Sequence, residues 1–127
     1  MKAKEIKVKN APPPAGPYST GIAFGKLVFC SGQIGLDPKT GTLINPDIET
    51  EAEQTFKNLS AVLTSAKSDF GKVLKVEVFL TDMNDFAKMN EVYAKYFPGK
   101  VKPVRTTVEV SRLPKGAHIE IACIAYI

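Results

Sequence analysis

The order of elements along this 127-residue chain predicts an α+β fold, a single two-layer domain in which two helices lie on one face of a mixed β-sheet. Three observations support this prediction. Two segments repeat apolar residues every three or four positions, as amphipathic helices do. Four segments are continuously apolar or alternate, as strands do. The predicted order is strands, helix, strand, helix, strands, and the length suits one domain over residues 1–127.

The first part of the chain is predicted to form a stiff arm and then a strand. Four prolines in residues 11–17 fix φ and keep this segment extended or turn-like as far as Tyr18. Residues 27–34 are almost continuously apolar, which is typical of a strand covered on both faces. Residues 37–41 have the composition of a turn, with a proline that sets the bend and a glycine that closes it.

The first helix is predicted to begin at Thr50, because Thr50 and Glu53 have the spacing of a capping box. Apolar residues then recur at helical spacing and predict one buried face. They are Ala52, Phe56, Leu59, Val62, Leu63 and Ala66. Residues 73–80 alternate and are rich in β-branched side chains, so they are predicted to form a strand.

The second helix is predicted to begin between residues 82 and 85, where several side chains can cap it, and to end before Pro98. Its predicted buried face consists of Phe86, Met89, Val92, Tyr93 and Tyr96. Residues 104–110 and 117–126 complete the predicted sheet. No further element remains to cover the other face of this sheet, so we expect the chain to self-associate with closed rotational symmetry.

Composition narrows the possible partners and locations. Much of the net charge of +4 comes from lysines at residues 2–9 and 95–102, and opposite charges are interspersed elsewhere, which disfavours nucleic acid as a partner. No apolar run approaches the roughly 20 residues needed to cross a bilayer, and the N-terminus lacks a targeting pattern. We therefore expect a cytoplasmic protein without a membrane partner. Cys30 and Cys123 are predicted to be buried free thiols, with a bridge between adjacent strands as the alternative.

Several common sites are excluded by residue counts. His118 is the only histidine, so the chain has no His-His metal motif, and a catalytic triad would have to use this one ring. We interpret His118 as a surface imidazole. No glycine pattern matches a phosphate loop or a dinucleotide turn. The absence of tryptophan and of interleaved basic and aromatic residues gives little support for stacking on nucleic-acid bases.

Arg105 is the residue whose chemistry is most informative. It lies in a segment that otherwise alternates like a half-buried strand, and a guanidinium is costly to bury without an anionic partner. Its planar, permanently charged fork fits a carboxylate through two parallel hydrogen bonds. Thr107 leaves the strand on the same face as Arg105. The pattern leaves open whether the partner is an internal acid, such as Glu120, or an acidic ligand.

Four other residues are candidates on weaker grounds. Glu120 stands among apolar strand residues, and periodicity alone favours a surface position or a salt bridge to Arg105 over a catalytic role. Ser31 and Gly32 interrupt an apolar strand, which indicates either a close-packed bulge or a hydroxyl and an exposed N–H for a ligand. Tyr18 ends the proline-rich arm, which could hold its aromatic ring at a defined place.

Six stretches in collinear order closely resemble the Rid family, the reactive intermediate (enamine/imine) deaminases, and in particular the RidA subfamily. These stretches are GPY at 16–18, FCSGQI at 29–34, DPKTG at 37–41, TDMNDF at 81–86, NEVY at 90–93 and PVR at 103–105. Residues 108–110, 112–114 and 119–121 extend the resemblance over essentially the whole chain.

The resemblance implies a fold similar to chorismate mutase and a homotrimer whose sheets pack into a central barrel, with three clefts between subunits. It also implies hydrolysis of 2-aminoacrylate and related 2-imino acids to 2-keto acids and ammonia, without a metal or cofactor. The activity implied is that of a 2-iminobutanoate/2-iminopropanoate deaminase. Its ligands would be these small 2-imino and 2-keto acids.

The resemblance also assigns roles to residues. Arg105 would hold the substrate carboxylate, and Glu120 would hold or activate the attacking water. The remaining pocket residues would be Tyr18, Ser31, Gly32 and Asn90. Thr107 stands where many members carry cysteine, and its hydroxyl could keep the hydrogen bonding there.

Two other functions stay open at this stage. Relatives have been described as translation inhibitors with ribonuclease activity, but a single histidine and scattered charge argue against efficient acid–base cleavage of RNA. A non-catalytic ligand-binding or chaperone-like protein could use the same cleft or an exposed apolar surface.

Overall fold

The computed structural model describes all 127 residues, and it confirms the predicted α+β architecture, with two helices packed on a mixed sheet. The strands are β1 (Lys4–Glu5), β2 (Gly21–Phe24), β3 (Leu27–Gln33), β4 (Val73–Leu80), β5 (Val104–Glu109) and β6 (Ile119–Tyr126). The helices are α1 (Ile48–Ser65) and α2 (Phe86–Tyr96). The strand order is β1-β2-β3-β6-β4-β5, and only β4 and β5 run parallel.

Two short strands at the sheet edge were not predicted. β1 has two residues and β2 has four, so neither is long enough for an alternation pattern to be recognised. β2 and β3 form a hairpin in which Phe24 pairs with Leu27. Gly25 has a φ of +60°, a conformation that glycine adopts without steric cost, and this permits the tight turn between them.

α1 begins at Ile48, two residues before the predicted start, and the predicted capping box at Thr50 was wrong. Asp47 is the N-cap, and its Oδ1 accepts a hydrogen bond from the backbone N–H of Thr50 at 2.7 Å. Glu53 does not reach back to the helix start, because its carboxylate binds Lys95 and the Tyr96 hydroxyl of α2.

The core lies between the helices and the sheet. All six apolar residues predicted for the face of α1 are buried. On α2, Met89 and Val92 are buried, but the prediction for Phe86 was wrong, because its side chain is exposed and lies beside Arg105. No helix in the structure combines the length and apolar character needed to cross a membrane.

The two cysteines confirm the prediction of buried free thiols. Cys30 of β3 and Cys123 of β6 pair directly across the sheet, and both are buried and unbridged. The neighbouring Cys30 thiol and burial together hold the pKa of Cys123 well above its usual range. The pair is therefore chemically quiet and contributes to packing.

The face of the sheet away from the helices is uncovered, as the sequence predicts. Side chains on β3, β4 and β6 there are only partly buried. Leu27, Val104 and Val108 are among the exposed large apolar residues of the chain. An apolar sheet face of this kind is typical of an interaction surface.

Candidate active site

Arg105 lies on the helix-covered face of the sheet. It pairs with Val76 of β4, whose side chain is fully buried beneath the helices, and directly opposed residues share a face. The Arg105 guanidinium lies 4.6 Å from the ring centroid of Tyr93 and 5.5 Å from that of Phe86. Its Nη1 donates to Asn90 Oδ1 at 2.8 Å. Three side chains of α2 thus orient the cation.

No acidic side chain neutralises Arg105. The ion pairs of the structure join Lys7 to Glu5 and Lys95 to Glu53, and the Glu51 carboxylate lies against the His118 ring. The salt bridge to Glu120 that the sequence left open does not form. Burial raises the pKa of Tyr93, and the charge of Arg105 opposes this shift. The guanidinium therefore keeps hydrogen-bonding capacity for an anion.

Thr107 lies beside Arg105 on the same face of β5, because it pairs with the buried Val78. Its hydroxyl oxygen is buried and has no hydrogen-bond partner. An unpaired buried hydroxyl is unfavourable in a native structure unless a ligand, water or partner group satisfies it. Arg105, Asn90 and Thr107 thus form one polar cluster with unused donors, which we call the arginine half-site.

Glu120 lies on the opposite face of the sheet. It pairs with Phe79, the neighbour of the buried Val78 and Leu80 on β4. Its carboxylate rests against Gly32, and a Cβ at position 32 would lie only 2.5 Å from Glu120 Oε2. Burial raises the pKa of Glu120, since no cation or donor offsets the loss of solvent. A protonatable carboxyl group is thus held at a fixed place.

A pocket opens beside Glu120, and we call it the glutamate half-site. Its walls are the proline-rich arm at 12–14, Tyr18, Gly32 and the turn that contains Lys115. The Tyr18 side chain is 50% exposed, and its hydroxyl accepts from the backbone N–H of Ala15 at 3.3 Å. The arm therefore places the aromatic ring of Tyr18 at the pocket.

Ser31 holds the end of this arm in place. Its hydroxyl donates to the Ser19 carbonyl at 2.6 Å, and its backbone N–H donates to the Thr20 carbonyl at 2.9 Å. Both donors are therefore used within the fold. A contact between Ser31 and substrate stays a prediction.

The candidate residues are thus divided between two faces of one sheet. The arginine half-site faces the helices, and the glutamate half-site faces away from them. Along β6, the position level with Arg105 is Cys123, three residues from Glu120. One chain therefore does not bring Arg105 and Glu120 together.

Sequence reasoning missed Glu51, which is almost completely buried in the first turns of α1. Its Oε2 accepts from the backbone N–H groups of His118 at 2.6 Å and Ile119 at 3.3 Å, and its Oε1 lies 2.8 Å from His118 Nδ1. The His118 side chain is 49% exposed, so the surface interpretation holds for half of the ring only. The missed signal is a row of polar residues at helical spacing beside the apolar stripe, Glu51, Thr55 and Asn58.

The structure contains no group of three or more His, Cys, Asp or Glu side chains that could hold a metal ion. The arginine half-site can bind a carboxylate through charge-assisted hydrogen bonds. The glutamate half-site can accept and return a proton.

Sequence comparison relates the chain to one family. A family model described as endoribonuclease L-PSP matches residues 8–127. A RutC family protein of Pyrococcus horikoshii is 54% identical over 121 residues, which cover 95% of each chain. The 2-iminobutanoate/2-iminopropanoate deaminase of Mus musculus is 43% identical over 122 residues, which cover 96% of this chain and 90% of the mouse protein.

Solved structures give the same relationship. The Rid family protein YyfA of Yersinia pestis superposes with a TM-score of 0.95 at 44% identity, covering 99% of this chain and 100% of that chain. TdcF of E. coli, solved with bound serine, superposes with a TM-score of 0.91 at 40% identity, and the match covers 98% of this chain and 98% of that chain. The similarity in sequence and in fold therefore extends over almost the whole molecule.

Proposed function

The chain belongs to the Rid family, which the endoribonuclease L-PSP model describes, and from this premise we propose that it hydrolyses 2-aminoacrylate and related 2-imino acids to 2-keto acids and ammonia. The observation that carries the proposal is the Arg105 guanidinium, which is oriented by Asn90 and has no acidic partner. A 2-imino acid presents a carboxylate next to the reacting carbon. Binding of this carboxylate by Arg105 therefore fixes the position of the reacting carbon in the site.

Glu120 supplies the proton transfers in this proposal. The ionised carboxylate takes a proton from water as the water oxygen adds to the imine carbon. The protonated carboxyl group then returns this proton to the imine nitrogen, which completes a carbinolamine. The carboxylate next takes the proton of the new hydroxyl group and passes it to the amino nitrogen, so that the carbon–oxygen double bond forms as the carbon–nitrogen bond breaks and ammonia leaves a 2-keto acid. 2-Aminoacrylate enters this sequence as its imine tautomer. A pKa raised by burial suits both steps, because it brings the acid and base forms closer in energy at neutral pH.

The reacting site is proposed to form between two chains. Arg105 and Glu120 lie on opposite faces of one sheet, and one of these faces is apolar and uncovered. A homotrimer in which the arginine half-site of one subunit meets the glutamate half-site of the next would form three complete clefts. Orienting a bound imine beside a held water is an entropic contribution that needs no cofactor.

An Arg105→Ala variant tests the carboxylate-binding role. We expect kcat/KM for freshly generated 2-aminoacrylate to fall at least on the order of 100-fold, because charge-assisted hydrogen bonds of about 1.5–3 kcal/mol each are lost. Release of pyruvate and ammonia is the measurement. Arg112→Ala is the matched control, since Arg112 is the only other arginine and is exposed. Full activity of Arg105→Ala would contradict the role.

A second candidate function, binding of RNA, is favoured by one surface feature. Lys7, Lys9, Lys57 and Lys67 line a groove along α1 that has no acidic lining residue. Phosphate binding through such lysines weakens steeply as salt increases. Affinity for a single-stranded RNA measured at several salt concentrations tests this candidate, and RNA cleavage retained in Arg105→Ala would separate it from the imine reaction.

A further inference from the structure

β3 and β6 separate where the glutamate half-site opens. Their pairing ends at Gln33 and Ile121, after a bulge in β3. Beyond this point the chain from Ile34 to Leu36 turns away, and the pocket beside Glu120 lies in the gap. Strands that separate inside a protein leave backbone N–H and C=O groups that must find other partners.

Two side chains of α1 provide these partners. Glu51 Oε2 accepts from the backbone N–H groups of His118 and Ile119, at the start of β6. Asn58 Nδ2 donates to the carbonyls of Ile34 at 2.9 Å and Leu36 at 2.8 Å, beyond the end of β3. The Glu51 and Asn58 side chains are both about 1% exposed. They take the place of the missing strand pairing on each side of the gap.

Close packing also holds the segment after β3 at a set distance from α1. A Cβ at Gly35 would lie 2.9 Å from the Glu51 carbonyl oxygen and 3.1 Å from Glu51 Cγ. Glu51 and Asn58 are seven residues apart, which is about two helical turns, so they lie on one side of the helix. Both walls of the pocket are therefore attached to one rigid element.

We propose that Glu51 and Asn58 are positioning residues for Glu120, because they hold β3 and β6 apart and so set the place of the Glu120 carboxylate against Gly32. This inference rests on the proposed function, in which Glu120 activates water. Neither residue hydrogen-bonds to Glu120, and both act through the backbone. A buried carboxylate is seldom a source of stability by itself, which favours a role in geometry.

Glu51→Gln is the first test, because glutamine keeps the size of the side chain and loses its charge and one acceptor. We expect kcat to fall on the order of 10- to 100-fold with KM nearly unchanged, since small displacements of a reacting group are costly and Arg105 lies on the other face. Asn58→Ser removes the amide donor, and we expect it to lower kcat in the same way and to leave KM nearly unchanged. Thr55→Val is the matched control, because the buried Thr55 hydroxyl bonds only to the Glu51 carbonyl within α1.

A second measurement does not depend on substrate. Titration of the Glu120 carboxyl carbon by NMR reports how well the pocket excludes water. In Glu51→Gln and Asn58→Ser we expect its raised pKa to move down towards the ordinary value for glutamate, as the walls loosen and water enters.

The two measurements separate the possible failures. If the wild-type protein turns over no imine, the proposed function fails, and the titration still tests the inference. The positioning inference would be overturned if the variants lose thermal stability but keep the wild-type kcat and the wild-type titration of Glu120. Glu51 and Asn58 would then serve only the stability of the fold.

Discussion

Arg105 and Glu120 are each left without an opposite charge by their own chain. The guanidinium is oriented by an amide and two aromatic rings, none of which neutralises it. The carboxyl group is half-buried against Gly32, and burial alone raises its pKa. A cation without an anion binds carboxylates well, and a carboxyl group that is buried without a cation holds its proton to a higher pH than an exposed one. At the scale of residues, both are therefore prepared for a ligand.

The pH dependence of the reaction should report the Glu120 pKa. Because the ionised carboxylate starts the reaction, we expect kcat/KM to rise with pH and to level off above the raised pKa of Glu120, which exceeds the ordinary 4.5. Glu120→Gln should lose about 10²–10⁴-fold in rate, the usual contribution of acid–base catalysis, and should abolish this limb. A pH profile of initial rates checks both. An unchanged limb in the glutamine variant would assign the titration to another group.

The same shift has a consequence for stability. A carboxyl group whose pKa is raised in the folded state stabilises the fold fully below its unfolded pKa, and this contribution is lost as pH rises through the folded value. The side chain of Glu120→Gln carries no charge at any pH, so the variant does not lose this contribution to stability as pH rises. In an Arg105→Ala background, where no guanidinium of a neighbouring subunit can offset this burial, we therefore expect Glu120→Gln to raise the melting temperature at neutral pH, with the gap closing in acid. Thermal unfolding at several pH values is the measurement, and a gap that widens in acid would contradict it.

At the scale of elements, the bulge in β3 determines where the Glu120 carboxylate can lie. The bulge falls between Cys30 and Gln33, and it brings Gly32 under the carboxylate of the neighbouring strand. Bulges commonly re-aim side chains beside functional sites. The interruption of an apolar strand by Ser31 and Gly32 was thus the signal in the sequence that indicated this bulge.

Gly32→Ala tests the close contact. The added methyl group would lie 2.5 Å from Glu120 Oε2, so the carboxylate must move. We expect the fold to persist and kcat to fall on the order of 100-fold, as a shift of about 1 Å in a reacting group can cause. Gly99→Ala is the control, because its Cβ would meet only the Val101 carbonyl oxygen, at 3.8 Å. Equal activity of the two variants would show that the position of the carboxylate is not critical.

The elements that the sequence predicted well are those with long periodic patterns. The apolar face of α1, and strands β4 and β6, extend over 18, eight and eight residues. The start of α1 was misplaced because Asp47 and Thr50 both suit a cap, and only the structure shows that Asp47 accepts the hydrogen bond. Glu51 was missed because polar residues at helical spacing ordinarily mark a solvent-exposed face, and its partners are backbone groups 67 and 68 residues away.

In the molecule as a whole, the sequence predicts which side chains supply the chemistry, but it does not predict where Arg105 and Glu120 lie relative to one another. Alternation predicts that Arg105 and Thr107 share a face, but the relation of Arg105 to Glu120 depends on the order β6-β4-β5 and on strand register. These are long-range pairings that a local pattern does not contain. The opposite orientation of the two half-sites, together with the apolar face left uncovered, makes a second copy of the chain part of the proposed site.

Mixing two inactive variants tests whether the site is shared between chains. Arg105→Ala keeps an intact glutamate half-site, and Glu120→Gln keeps an intact arginine half-site. If each cleft joins one half-site from each of two subunits, co-expressed variants form mixed assemblies in which some clefts have both native residues. We therefore expect a substantial fraction of wild-type activity to return in the purified mixed assembly, while each variant alone stays inactive.

The control is a chain that carries both substitutions, mixed with wild-type protein. Its mixed assemblies place the two defects in different clefts, so activity should fall below that of the undiluted wild type and should not exceed the share of intact clefts. Sedimentation or light scattering of each sample establishes the number of chains per assembly. Mixed assemblies of Arg105→Ala and Glu120→Gln that remain inactive would mean that Arg105 and Glu120 never face one another across a subunit boundary, and the proposed cleft would have to be abandoned.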